Sequence, residues 1–363
     1  MGEGLELRPV NVLIGANGTG KSNLVAFFSL LNHITTDNLS EWIAHHGILY
    51  DQLYYGPKVA HQFEVTLSYA VGETTDLYHA VLNYAPPGNL LLNEKLEFCN
   101  GSNGARTEDR LEPATNRSAL RFYDGADASP AATAARSLLA VLACTKSYHF
   151  LDTSSTARVK KQWRLADNAS LKSDGGNLAP VLHRLKEAHP DYYRRIVGVI
   201  RQVVPFFSDF ELKPEPPSED ERVTLQWREK NSDMVFGPHQ LSDGTLRFMM
   251  LATLLLLPAE PQPRVVIIDE PELGLHPAAI EALGSMVYTA TSWTQVILTT
   301  QSTALLDVFE AEDVVVVSRV REENTGRYET QFHRLTEAEL EAWEDYSLSE
   351  LWEKNVIEGS PMA

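Results

Sequence analysis

The residues able to do chemistry fall in three short stretches of the 363-residue chain. The first is Gly15–Ser22, GANGTGKS, which matches the pattern G-x-x-x-x-G-K-[ST] in full. It follows the β-rich run PVNVLI and precedes the apolar, helix-forming run SNLVAFFSLLNHI, the setting a phosphate loop needs. Gly15, Gly18 and Gly20 let the backbone wrap an anion without Cβ atoms in the way, amides pointing inward. Lys21 is expected to reach the β- and γ-phosphates of a nucleotide and Ser22 to offer its hydroxyl to Mg2+. Asn17, Gly18, Thr19, Gly20 and Asn23 complete the expected ATP-binding loop.

The second stretch is RVVIIDEPELGLHP. Four apolar β-branched residues end in Asp269 and Glu270, which puts both acids at the carboxyl edge of a central strand, where open α/β sheets bind ligands. Asp269 suits a Mg2+-holding role with Ser22, and Glu270 suits polarisation of an attacking water. The third stretch is HQLSDGTLRFMMLATLLLLP. Ser242, Asp243 and Gly244 open a strongly apolar helix, so Ser242 or Asp243 is an N-cap in the plainest reading. The same exposed amides could also await a phosphate.

The elements that position these stretches can be read from pattern. Residues 1–50 form a phosphate-loop lobe, and 51–130 alternate in β fashion around turns (HQFEVTLSYAVGE, LYHAVLNYAPPGN), as an antiparallel meander does. The stretch NGSNGARTED reads as a mobile loop. Residues 131–205 turn helical, with ARSLLAVLA and LAPVLHRLKEAHPDYYRRIVGVIRQVV as the main segments. From 206 to 317, DFELKP and VTLQWRE precede the apolar helix that Ser242 opens. The runs RVVIID, TQVILTT and DVVVVSRV then alternate with helices, as in a buried parallel sheet. Residues 1–317 are thus expected to make one ATPase domain. A C-terminal strand and acidic amphipathic tail follow over 318–363, with Trp343, Leu348, Leu351 and Trp352 expected to pack on the chain's own core, docking of a partner being the other reading.

The net charge is −18, which argues against a surface coated for nucleic acid. Residues 141–201 nevertheless carry eleven Lys/Arg against five Asp/Glu. A solvated helical face explains this, with a docking surface for DNA, RNA or an acidic partner as the other reading. No apolar run is long enough to span a bilayer and no signal sequence opens the chain, so a cytoplasmic protein without a membrane partner is expected. Cys99 and Cys144 show no metal or disulfide spacing, and the histidines, including His45 and His46, show no metal pattern.

The order of phosphate loop, meander, helical region, LSDGT and VVIIDEPELGLHP resembles the ABC-type ATPase heads of the RecF, SMC and overcoming-lysogenisation-defect branch. Within that branch the chain is most similar to compact bacterial AAA-family ATPases without a coiled coil, some encoded beside defence effectors. The resemblance runs from Leu5 to about Val317. It rests on GANGTGKSN and DEPELGLHP, with LSDGT a looser form of LSGGQ. It implies an α/β P-loop NTPase fold with a mixed, largely parallel core sheet, an antiparallel β meander and a helical insertion. It also implies ATP and Mg2+ as ligands and an ATP-sandwich homodimer, possible as a higher oligomer. There Ser242, Asp243 and Gly244 would meet the γ-phosphate bound by the opposite subunit, and His276 would lie at the dimer contact.

Two departures bear on function. Where relatives often carry a switch histidine after the QVILTT strand, this chain has Gln301, which donates a hydrogen bond but carries no charge, so slow hydrolysis is expected. The segment before PVNVLI leaves little room for the usual edge strand. Gln52 and Gln62 are the candidates for a Q-loop glutamine, neither assigned. Nuclease domains follow the ATPase in overcoming-lysogenisation-defect proteins, whereas about 45 residues follow the last core strand here. A nuclease or toxin-like effector encoded in trans is therefore expected, in anti-phage defence or DNA maintenance. The alternatives are a transporter ATPase subunit and a small-molecule kinase; the latter would leave LSDGT and Glu270 unexplained.

Overall fold

The computed structural model describes residues 4–39, 41–42, 53–56, 58–71, 74–85, 89–100, 105–115, 117–123, 129–214, 221–259, 263–343 and 346–357. His45, His46 and Gln52 lie outside them. The strands are β1 (Val10–Ile14), β2 (Gln62–Val71), β3 (Thr74–Ala85), β4 (Asn89–Asn100), β5 (Ala105–Thr115), β6 (Thr145–Tyr148), β7 (Trp163–Arg164) and β8 (Phe207–Glu211). They continue with β9 (Arg222–Val223), β10 (Gln226–Glu229), β11 (Val235–Phe236), β12 (Val265–Asp269), β13 (Gln295–Thr300), β14 (Val314–Arg321) and β15 (Tyr328–Arg334). The helices are α1 (Lys21–Thr35), α2 (Pro130–Ala143), α3 (Leu178–Ala188), α4 (Pro190–Val203), α5 (Asp243–Leu255), α6 (Pro277–Ala290), α7 (Thr303–Leu306), α8 (Glu337–Leu340) and α9 (Leu348–Glu353). The chain divides into two compact units, one of residues 1–25 with 146–363 and one of residues 26–145.

In the first unit a six-stranded sheet runs β15-β14-β1-β13-β12-β6. β1 pairs in parallel with both β13 and β14, and β12 pairs in parallel with β13, while β15 is antiparallel on β14. The parallel strands are buried, which is why they read as unbroken Val/Ile runs. No strand forms in residues 4–8; the sheet continues past β1 through β14 and β15 instead. α5 is apolar on nearly all sides because it is enclosed within this unit, where Leu246 and Phe248–Leu255 are buried. Leu351 and Trp352 of α9 join the same core and Leu348 packs against it, whereas Trp343 stays partly exposed beside Tyr346.

Two local features differ from the sequence expectation. The long helical run LAPVLHRLKEAHPDYYRRIVGVIRQVV is two helices, α3 and α4. Proline lacks an amide hydrogen and restricts the residue before it, so His189 takes φ −137° and ψ 61° and Pro190 starts a new helix. The latter part of NGSNGARTED is not a loop: Ala105 onward forms β5, antiparallel on β4. β5 is the edge of the meander and carries charges that edge strands tolerate, which hides it from apolar alternation.

The second unit is that meander, β2-β3-β4-β5, with α2 packed on it. Its buried polar centre is Glu94, which accepts from Tyr78 Oη (2.6 Å), Ser118 Oγ (2.7 Å) and the Ala119 amide (2.6 Å). Burial pushes this carboxyl above its usual range against the pull of those three donors.

Candidate nucleotide site

Strand register assembles the site. Ile14, the last residue of β1, is level with Thr300 of β13, and Asp269, the last of β12, is level with Thr299. Three adjacent parallel strands therefore end together, and the Gly15–Ser22 loop, Asp269–Glu270 and Gln301 leave one sheet edge.

The loop is tightly supported. Gly18 and Gly20 have φ of +80° and +116°, conformations that side-chain-bearing residues rarely adopt. A Cβ on Gly15 would lie 2.3 Å from the Val317 carbonyl of β14, and one on Gly20 would lie 2.5 Å from Thr330 Oγ1 of β15. Thr330 also donates to the Thr19 carbonyl at 2.8 Å, and Thr19 Oγ1 donates to the Ala16 carbonyl at 2.9 Å. Asn17 and Gly18 form the exposed crown of the loop, and Ser22 and Asn23 are exposed on the first turn of α1. Lys21 is buried and donates to the carbonyls of Gly15 (2.5 Å) and Ala16 (3.0 Å). Burial lowers the pKa of its ammonium, while Glu270, Asp269 and Glu272 oppose that shift.

On the acidic side, Asp269 accepts from the Thr299 hydroxyl on Oδ1, and Oδ2 stands 3.7 Å from His149 Nδ1. The imidazole and the hydroxyl hold this carboxyl below its usual range despite desolvation. Glu270 has φ +46°, a left-handed backbone that costs a non-glycine residue about 1–3 kcal/mol. Its amide donates to the Thr299 carbonyl at 2.8 Å, and its Oε1 accepts from Gln301 Nε2 at 2.5 Å. Glu272 lies behind them, 9% exposed, accepting from Thr300 Oγ1 at 2.5 Å. Its other oxygen has no protein partner, and burial raises its pKa.

Ser242 caps α5, its Oγ accepting from the Thr245 amide at 3.2 Å, and Ser242 and Asp243 are exposed. A Cβ on Gly244 would meet the Gly274 carbonyl at 2.2 Å, so glycine is required there for packing as well. Arg247, one turn on, donates to the carbonyls of Phe150 (3.0 Å), Leu151 (2.9 Å) and Leu273 (2.6 Å). His276 caps α6 through its ring, Nδ1 accepting from the Ala278 amide. Gln62 lies at the start of β2 in the other unit, its amide bonded to Glu64. The basic stretch 141–201 is largely engaged by its own fold. Arg158 pairs with Asp174, Lys172 with Asp167 and Lys186 with Asp209, and Arg184 and Arg201 donate to backbone carbonyls.

His149, Arg247, Glu272, Thr299, Thr300 and Thr330 were not singled out from sequence. Glu272 and the two threonines adjoin residues that were, in DEPEL and QVILTT. His149, Arg247 and Thr330 belong to no recognisable motif and reach their partners only through the fold.

A phosphate loop at the end of a central parallel strand, with an acidic pair ending its second neighbour, defines a P-loop ATPase head. A domain-family model described as "AAA domain, putative AbiEii toxin, Type IV TA system" matches residues 110–307, more than half of the chain, and the chain belongs to that family. The match takes in the signature and the acidic strand but not Gly15–Ser22. Among solved structures, an SMC head bound to the C-terminal winged-helix domain of ScpA aligns over 92% of this chain and 93% of its own, with a TM-score of 0.56 and 14% identity. The SMC head domain from Thermotoga maritima aligns over 92% of each chain at a TM-score of 0.39 and 13% identity. No curated protein matches the sequence. The first of these structures shows the fold alone, that of an SMC head with a mixed, parallel-dominated sheet. Among the described residues no helix is long and apolar enough to cross a membrane.

Proposed function

We propose that this chain is an ATP-driven switch: it binds and slowly hydrolyses ATP and pairs with a second copy through the bound nucleotide. The supporting observation is the shared edge where β1, β12 and β13 end, which gathers Lys21, Asp269, Glu270 and Gln301. The loop amides and the N-terminus of α1 suit the phosphates of ATP. Lys21 would exchange the Gly15 and Ala16 carbonyls for phosphate oxygens, a charge-assisted partner. Ser22 and Asp269 fit Mg2+, which commonly takes one or two carboxylates and completes its shell with water and substrate phosphates. When bound, the ion would offset phosphate charge.

Glu270 is the group to accept a proton from the attacking water. Gln301 donates to one of its oxygens and leaves the other for that water. Gln301 donates a hydrogen bond but carries neither a proton to pass on nor a positive charge, which fits slow turnover. The exposed Ser242–Gly244 edge, backed by the α5 dipole, would meet the partner copy's γ-phosphate. Capping the helix and clamping a phosphate in trans are compatible tasks. The family description, "putative AbiEii toxin, Type IV TA system", supports a toxin–antitoxin setting, and the partner proposed there is a toxin-like or nuclease effector supplied in trans. Local pairing of its bases makes 141–201 a poorer nucleic-acid surface than its charge suggests, so a protein partner is favoured.

Glu270→Gln keeps the size of the side chain but cannot take the proton, so ATP should persist and hold two copies together. Adding Ser242→Arg should leave ATP binding intact and abolish that assembly. Light scattering with and without ATP reads both. A Glu270→Gln protein that never associates, or a double variant that still does, removes the trans clamp.

A further inference from the structure

Asp269 is held from two sides, and only one of them belongs to the strand next to it on the nucleotide-loop side. β6 lies beside β12 in the sheet and ends at Tyr148, so His149 emerges next to the acidic end of β12. Its Nδ1 stands 3.7 Å from Asp269 Oδ2, while Thr299 of β13 donates to Oδ1. The second ring nitrogen, Nε2, is 3.0 Å from Ser147 Oγ. In the tautomer with its proton on Nδ1, facing the carboxylate, Nε2 accepts from Ser147 Oγ. The backbone is anchored as well. The His149 amide donates to the Ser173 carbonyl at 2.9 Å, and Arg247 grips the next two carbonyls, those of Phe150 and Leu151. The ring is still 45% exposed, so it is not a buried packing residue. The charged groups acting on this corner of the site are Asp269 itself, Glu270, Glu272 and Lys21.

We propose that His149 is a positioning residue for the divalent-cation side of the site: with Thr299 it sets the plane of the Asp269 carboxylate and so its readiness to hold Mg2+. The inference rests on the nucleotide reading of Gly15–Ser22. Groups that orient a metal-binding carboxylate typically change metal affinity by about 10–100-fold when removed. Arg247 adds a structural link, since the same side chain that fixes the loop after His149 also holds Leu273 against the signature helix.

The test is calorimetric binding of a non-hydrolysable ATP analogue to the full chain, first in EDTA and then across a Mg2+ titration. His149→Ala should match the parent in EDTA yet need roughly tenfold more Mg2+ to reach half its affinity gain. His149→Asn, whose amide can stand in for Nδ1–H, should recover most of that difference. Equal Mg2+ midpoints for the parent and His149→Ala would overturn the proposal. So would an equal loss in EDTA shared by both variants, which marks general damage to the loop. A parent that binds the analogue in neither condition would bring down the nucleotide reading itself, a result distinct from the other two.

Discussion

Gln301 and Glu270 form the contact that most directly sets the chemistry of the proposed site. Their 2.5 Å hydrogen bond couples a neutral amide to the proposed general base, whose backbone is left-handed just past the end of β12. A histidine at 301 could carry positive charge toward a phosphate, which an amide cannot. Gln301→His should therefore leave ATP affinity within about twofold and raise turnover several-fold, measured by phosphate release. Slower release would show that the amide has its own role in holding Glu270. Of the residues gathered here, those in GANGTGKS, IIDE and LSDGT were legible because each set is contiguous and has its own spacing. Thr299 and Thr300 could be read only as the end of a strand. His149 and Thr330 were invisible, since a pairing across 120 or more residues leaves no local trace.

At the scale of elements, strands and helices with long apolar runs were readable, and the misses have physical causes. β5 carries the charges of an edge strand, and α3 and α4 share one apolar period across the His189–Pro190 break. The β14–β15 hairpin was unevenly legible: DVVVVSRV reads as a strand and a further strand was expected within 318–363, but YETQFHR, with most of its residues exposed, does not mark where it lies. That hairpin forms the back wall of the phosphate loop through Val317 and Thr330. Thr330→Val fills the same space at Gly20 but cannot donate to the Thr19 carbonyl. One neutral hydrogen bond contributes about 1 kcal/mol, so ATP affinity should fall roughly fivefold by calorimetry with little change in melting temperature. Unchanged affinity would reduce the hairpin to a spacer.

At the scale of the whole molecule, sequence indicated a parallel α/β core but not its strand order, because order is set by which strands meet late in the chain. β1 lies inside the sheet, and both its neighbours, β13 and β14, come almost 300 residues after it. The division into two units was equally hidden, since the 26–145 segment interrupts the first unit rather than following it. Long-range pairing of this kind folds slowly and leaves apolar strands open meanwhile. During synthesis, then, the phosphate loop leaves the ribosome well before its wall and flanking strands, which follow about 300 residues later. Over those residues the growing polypeptide carries GANGTGKS without a finished pocket, and the proposed ATP ligand would have nothing formed to stabilise. Ribosome-bound chains of increasing length should be retained on immobilised ATP only once they extend past Thr330 and clear the exit tunnel. Retention of a chain ending before β13 would show that the loop closes without its neighbours. Until then a bound nucleotide would do nothing to keep the apolar β1 strand from pairing elsewhere.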